Sequence, residues 1–168
     1  MLAIALGATA ASPSQEAAGT YSVQICRSVC TGLEAKPYLT GTVVLLERPV
    51  LRKDGKPING FFVEGPVNGC FKLPRQQVRD DTYAGIDAEG PLAWQIDDSG
   101  TLRFPLYRSA DAGYEVELKP GPHAWSGTGH SWGAGAAEIH APVDQVVATR
   151  TGAAAQGQCP PIPHIDGR

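Results

Sequence analysis

The sequence predicts an all-β protein, a small antiparallel up-and-down meander barrel, with a β-sandwich as the alternative. Apolar and polar residues alternate over about nine to eleven short segments, which is the pattern of a sandwich or barrel. Twenty glycines and fourteen prolines indicate frequent turns. No segment carries a sustained 3.6-residue apolar stripe, so long helices are not expected. Because closure of sequential hairpins removes exposed edges, we favour the barrel.

The chain of 168 residues is predicted to hold one domain with an extension at each end. Residues 1–18 resemble a secretory signal peptide, because an apolar run at 2–6 precedes a small-residue site at 8–10. A disordered N-terminus is the alternative interpretation. Residues 19–150 form the predicted barrel. Residues 151–168, rich in Ala, Gly and Pro, are predicted to be a surface tail.

The charge and hydropathy of the sequence limit the kinds of partner that are expected. The net charge is −3 and the basic residues are scattered, so nucleic-acid binding is not expected. Outside the N-terminus no apolar stretch approaches the ~20 residues that a membrane span requires. The sequence therefore predicts a protein without a membrane span.

The first strands follow from period-two alternation. Residues 20–25 place Tyr21, Val23 and Ile25 on one face. Residues 38–47 form a longer strand with an apolar centre. Asp54-Gly55 predicts a tight turn, because glycine supplies the positive φ required there. Short strands are expected at 61–63 and 70–73.

A three-strand meander is predicted over residues 92–96, 102–106 and 114–118, with turns at 98–100 and 111–113. Pro105 lacks a backbone donor, so an edge or a bulge is expected in its strand. The alternating pattern assigns the following residues to the core: Trp94, Ile96, Leu102, Phe104, Val116 and Leu118.

The stretch from residue 122 to 150 is the most distinctive part of the chain. Its odd positions from Trp125 to Ile139 are nearly bare of side chains because of their glycines, and its even positions carry His130, Trp132, Glu138 and His140. Glycine in a strand indicates a bend, a bulge or the close approach of a ligand or another backbone. A last strand is expected at 143–150.

Four cysteines, Cys26, Cys30, Cys70 and Cys159, are typical of an exported protein. They allow three patterns of pairing, and we favour the pattern that joins Cys70 to Cys159 and Cys26 to Cys30. The second requires a turn, because residues i and i+4 of a strand lie ~13 Å apart. A secreted meander barrel with a bridge from mid-chain to the C-terminal part resembles the lipocalin plan. The lipocalin Gly-x-Trp motif is absent, with Gly19-Thr20-Tyr21 in its place, and no binding residues are transferred.

We therefore predict a periplasmic or secreted barrel without catalytic activity or cofactor. It is expected to bind a small apolar or aromatic molecule, or a protein partner, at one open end. Aromatic rings can stack on a planar ligand and bare glycines permit its close approach. The candidate ligand-binding residues are Trp125, Trp132, Gly129, Gly133 and His130.

Two rival functions remain open. The first is a small secreted hydrolase or metal-dependent enzyme, since residues 129–133 match Gly-x-Ser-x-Gly with Ser131 as nucleophile. Asp144 and His164 follow in the order of a triad. His130, Glu138 and His140 would bind a metal if the chain turned at Ala134-Gly135. The second rival is an envelope structural or interaction domain without a pocket.

Overall fold

The computed structural model describes residues 12–31, 35, 37–59, 65–73, 89–108, 112–133 and 143–159. Nine antiparallel strands form one strongly curled sheet, a half-barrel, accompanied by one short helix. The prediction of an all-β, barrel-like fold is confirmed, and the single continuous sheet excludes the sandwich alternative among these residues.

The elements follow one another as an up-and-down meander. Their bounds are α1 Pro13–Ala17, β1 Gly19–Cys26, β2 Leu39–Leu45, β3 Gly69–Lys72, β4 Glu89–Leu92, β5 Gln95–Ile96, β6 Leu102–Arg108, β7 Ala112–Pro120, β8 Trp125–Gly133 and β9 Asp144–Gly152. The strands are arranged in the sheet in the order β4-β3-β2-β1-β9-β8-β7-β6-β5. Strands that follow one another in the chain therefore lie side by side, except that β4 and β5 form the two edges and the first strand, β1, pairs with the last, β9.

The two edges of the sheet belong to one stretch of chain. The sequence pattern predicts a single strand at 92–96, whereas the structure has β4 on β3 and β5 on β6, separated by Ala93 and Trp94. The side chain of Asn68 interrupts the strand: its Oδ1 accepts the Trp94 amide at 2.8 Å and its Nδ2 donates to the Trp94 carbonyl. Trp94 therefore joins the two edges, and β4 and β6 approach within 8 Å between Cα atoms.

The meander gives the half-barrel two unlike ends. The helix end is where α1 lies and where β1 begins at Gly19 and β8 begins at Trp125. The loop end is where β1 ends at Cys26, β8 ends at Gly133 and β9 begins. Strands β1, β3, β6 and β8 end at the loop end, and β2, β4, β7 and β9 begin there, because neighbouring antiparallel strands run in opposite directions.

The core lies on the concave face, where alternate residues of each strand meet. Strand β1 shows the pattern most clearly, with Tyr21, Val23 and Ile25 at 2% exposure or less and the alternate residues Thr20, Ser22 and Gln24 half-buried. Of the six core residues predicted for the meander, Ile96 is partly buried and the other five are buried. Small barrels fill their interior with side chains in this way.

Helix α1 covers the helix end. Ser12 and Gln15 form a reciprocal capping box, and Pro13 occupies the first turn, where its missing N–H is no loss. Ala17 is fully buried in the core, and its carbonyl accepts a hydrogen bond from the Tyr21 hydroxyl at 2.7 Å. Arg150 of β9 donates to the carbonyls of Glu16 and Ala18. These contacts attach α1 firmly to the sheet.

Both predicted disulfides are confirmed. Cys26–Cys30 has a Cα–Cα distance of 5.5 Å, which requires the chain to turn directly after β1, as expected. Cys70–Cys159 attaches the segment after β9 to β3. This bridge packs into a second apolar cluster with Val44, Leu46 and Val50.

Two local predictions are also confirmed. Gly55 has φ 79° in the turn between the bridged residues Leu51 and Pro57. The pairing of β6 with β7 shifts register between Pro105 and Tyr107, which is the bulge expected from a residue without a backbone donor.

Several sequence-based expectations fall outside the described residues. These are the apolar run and cleavage site of the N-terminus, the short strand at 61–63 and the end of the tail from 160 onward. The boundaries 1–18, 19–150 and 151–168 remain predictions. Within them, residues 13–17 form α1 and β9 continues to Gly152. No helix among the described residues is long and apolar enough to cross a membrane.

Candidate ligand-binding site at the loop end

Strand β8 divides the predicted ligand-binding residues between two faces. Gly129 pairs with Asp144 and Val116, and its position faces the core. His130 and Trp132 have the opposite parity and face outward. The glycines and the His and Trp rings therefore do not form one surface, and ligand binding by these residues remains a prediction.

The bare inner face of β8 is covered by the protein itself. A Cβ on Gly129 would collide with the ring and hydroxyl of Tyr114, and a Cβ on Gly127 would collide with the carbonyl of Glu117. On the outer face the Trp132 ring covers Gly113 of β7 in the same manner. Aromatic coverage of strand glycines is a known way to stabilise curved sheets. The close approach indicated by the glycines thus involves Tyr114 and the β7 backbone.

Trp125 lies at the helix end, far along β8 from Trp132. It is partly buried and packs against the core. Burial raises the pKa of the Tyr21 hydroxyl, and the charge of Arg150 and the neighbouring Trp125 side chain offset part of that rise. Trp125 therefore belongs structurally to the closed helix end.

The loop end contains a buried carboxylate that the sequence did not single out as a binding group. Asp144, at the start of β9, is 1% exposed. Its Oδ2 accepts hydrogen bonds from the hydroxyls of Tyr38 at 2.6 Å and Tyr114 at 2.7 Å. Its Oδ1 has no hydrogen-bond partner among the described residues. A buried polar atom without a partner is rare in folded proteins and costs free energy.

Gly129 makes this arrangement possible. Tyr114 reaches Asp144 by crossing the space where a β8 side chain would otherwise stand, since Gly129 and Asp144 are paired neighbours. Tyr38 lies immediately before β2, and its amide donates to the Ile25 carbonyl. The guanidinium carbon of Arg27 lies 5.6 Å from the centre of the Tyr38 ring. Residues of β7, β8 and β9 and of the chain just before β2 thus meet at one carboxyl group.

A signal for this site was present in the sequence. Asp144 has the same parity as Val146 and Ala148, which are buried on the concave face. An acid in register with core residues indicates a buried carboxylate, which requires hydrogen-bond or ionic partners. The tyrosine partners were not predictable, because their positions depend on pairing between distant strands.

The enzyme alternatives gain no support from the described geometry. Ser131 and His130 are consecutive strand residues and face opposite sides, so they are not a nucleophile and its base. Asp144 lies on the same face as Ser131, but its Oδ2 is occupied by tyrosine hydroxyls. Glu138, His140 and His164 lie outside the described residues, and within those residues no group of three potential metal ligands occurs.

A groove of about 260 Å³ lies on the outer side, beside Trp94, where the two sheet edges meet. Gln95, Arg103 and Glu115 contribute to its wall. The Arg103 guanidinium is already bound by Asp97 at 3.2 Å and by Glu117 at 3.0 Å. The positive charge of Arg103 is therefore already balanced by two carboxylates, so the groove does not offer it to an anionic ligand.

Comparison with known proteins leaves the site to be interpreted from its own chemistry. No protein-family model, curated protein or solved structure matches this chain.

Substituting Gly129 tests the contact that shapes the site. We expect Gly129→Ala to lower the free energy of unfolding by about 1–3 kcal/mol, because the added methyl displaces the buried Tyr114 ring. Gly152→Ala is the matched control: a Cβ there meets nothing within 4 Å. Urea titration of both variants measures the difference. Equal midpoints would show that Tyr114 moves aside at no cost.

Proposed function

We propose that this protein is an exported, non-enzymatic binding domain that takes up a small ligand with an apolar or aromatic part at the loop end of its half-barrel. The observation that carries this proposal is the difference between the two ends. Helix α1 and Trp125 cover the helix end, and the loop end contains the buried, incompletely paired Asp144. Ligand sites in barrels commonly lie at the mouth, where a few polar groups converge in an apolar surround.

The candidate residues contribute unequally to this proposal. Gly129, Ser131, Trp132 and Gly133 lie in the half of β8 that leads to the loop end. Of these, Ser131 is the residue on the inward-facing parity that carries a side chain. The partly buried Ser131 therefore marks the proposed path from the mouth toward the core. His130 contributes to the outer rim, and Trp125 supports the opposite, closed end.

Export is supported by the two disulfides, which persist in oxidising compartments. The position of α1 indicates where a leader would end. Removal of residues 1–10 leaves the Ser12 capping box intact, whereas removal of residues 1–18 deletes the buried Ala17 and two acceptors of Arg150. We therefore propose that processing occurs at the small-residue site 8–10.

Native mass spectrometry of the protein purified from the organism that encodes it tests the proposal. The expected result is a mature chain beginning close to Ala11 that retains a small molecule. Ser131→Trp should abolish retention by filling the mouth, because Ser131 pairs with Tyr114 on the concave side. Ser126→Trp is the matched control, since Ser126 is exposed on the outer face.

Three outcomes would contradict the proposal. A wild-type chain without any retained molecule argues for a structural domain. Retention by a folded Ser131→Trp variant places the ligand elsewhere. Hydrolysis of a generic ester that is abolished by Ser131→Ala favours the enzyme, because removal of a nucleophile costs orders of magnitude in rate.

A further inference from the structure

We infer that Asp144 selects a ligand carrying a primary ammonium group, which donates to the unpartnered Oδ1. The inference deepens the proposed function, on which it rests, by naming the polar group that the ligand must bring. It assigns the two oxygens of one carboxyl different tasks. Oδ2 is held by Tyr38 and Tyr114, and Oδ1 accepts the ligand.

Among the described residues, the Asp144 carboxyl uses only one of its two oxygens in hydrogen bonds. A carboxylate accepts on both oxygens, and two hydroxyl donors on Oδ2 leave the whole capacity of Oδ1 unused. The tyrosines also fix the orientation of the carboxyl plane, because they approach from β7 and from the chain just before β2. Oδ1 is therefore a preorganised acceptor, which lowers the ordering cost of binding.

The Asp144 carboxylate also has no cationic partner among the described residues. Buried carboxylates are normally paired with a cation, because an isolated buried charge is costly. Among the described residues no Lys, Arg or His lies within 4.0 Å of the Asp144 carboxylate. Arg27 is directed at the Tyr38 ring. A ligand ammonium would supply both the missing donor and the missing counter-charge, whereas a neutral hydroxyl would supply only the donor.

A ligand must also be able to reach the Asp144 carboxyl from the loop end. Gly129 is the β8 residue beside Asp144, and the next inward-facing residue toward the mouth is Ser131, about 7 Å further along the strand. Ser131 is small and partly exposed. Asp144 is thus separated by two strand residues from the partly exposed Ser131, a distance that a methylene-linked ammonium can span.

A titration of the wild-type protein with three probes tests the inference. The probes are benzylammonium, benzyl alcohol and benzyltrimethylammonium, which share a ring but differ in charge and in N–H or O–H donors. Two-dimensional ¹H–¹⁵N NMR follows the amides of Gly129, Ser131 and Asp144. We expect saturable shifts with benzylammonium and roughly tenfold to a hundredfold weaker binding of the other two.

Asp144→Asn should remove this preference, since the amide is neutral. Asp98→Asn, at an exposed turn, is the matched control and should preserve it. Because the probes are compared first on the wild-type protein, the test does not depend on the folding of a variant.

The outcomes separate the inference from the proposed function. Equal affinity for all three probes at the mouth overturns selection by Asp144 but supports a binding mouth. Unchanged preference in a folded Asp144→Asn variant also overturns it. Shifts confined to other regions, or none at all, overturn the inference, and the retained-molecule experiment then decides the proposed function independently.

Discussion

Replacing Cys70 and Cys159 together by serine should lower the free energy of unfolding by about 4–5 kcal/mol. The bridge joins two cysteines that are 89 positions apart in the sequence. A cross-link over a loop of this length restricts the unfolded chain, and the chain-entropy model gives a stabilisation of about 4–5 kcal/mol that is lost when the bridge is removed. The folded state also loses part of the cluster that the bridge forms with Val44 and Leu46. This is a large fraction of the stability of a domain of this size.

The second disulfide provides the comparison. Replacing Cys26 and Cys30 by serine should cost only about 2 kcal/mol, because their sequence separation is 4 and little loop entropy is lost. Urea titrations of both double variants give the two values. Equal losses would show that local contacts, and not loop closure, determine the contribution of each bridge.

Phe104→Ala should lower the free energy of unfolding by about 3–5 kcal/mol. Phe104 is 1% exposed and lies in the core cluster, so truncation removes the burial of a ring and leaves a cavity. Its partner in β7 is Val116, and both face the concave side. Strand β7, which pairs with Phe104, is itself paired with β8 along its length, which limits its collapse into the cavity.

Leu51→Ala is the control for this substitution. Leu51 is 56% exposed, and its truncation should change stability by less than about 0.5 kcal/mol. Reversible urea unfolding at a common protein concentration measures both variants. A loss below about 1 kcal/mol for Phe104→Ala would contradict the position of the core on this face of β6.

Strand parity explains how much of the architecture could be predicted. In β1, β6 and β7 every second residue is apolar, and the structure buries those residues on the concave face. Pro105 predicted a bulge because proline lacks a backbone donor, and Gly55 predicted a turn because a positive φ favours glycine. Each of these predictions depends on a residue and its immediate neighbours, so the sequence alone was sufficient.

The break at Trp94 shows where local reasoning failed. The alternation of Leu92, Trp94 and Ile96 is that of one strand, yet the chain crosses from one sheet edge to the other at this point. The reason is the side chain of Asn68, which takes both backbone hydrogen-bonding groups of Trp94. A contact between residues 26 positions apart is not visible in a local pattern.

The glycines of β8 illustrate a partial success. Their spacing predicted that something approaches the strand closely, and this approach is observed at Gly127 and Gly129. The sequence left open whether a ligand or the protein would be the approaching group. The register of β7 decided it, by placing the Tyr114 ring over Gly129.

The sequence by itself determined the all-β class, the alternation of the core strands, and the bulge and turn at proline and glycine. Only the tertiary structure decided which end of the half-barrel is covered and which groups surround Asp144. Tyr38 and Tyr114 lie 106 and 30 positions from that residue, and the curling of the sheet brings their hydroxyls onto one oxygen. Backbone preferences act over a few residues, whereas the pairing of a buried carboxyl depends on the register of every strand around it.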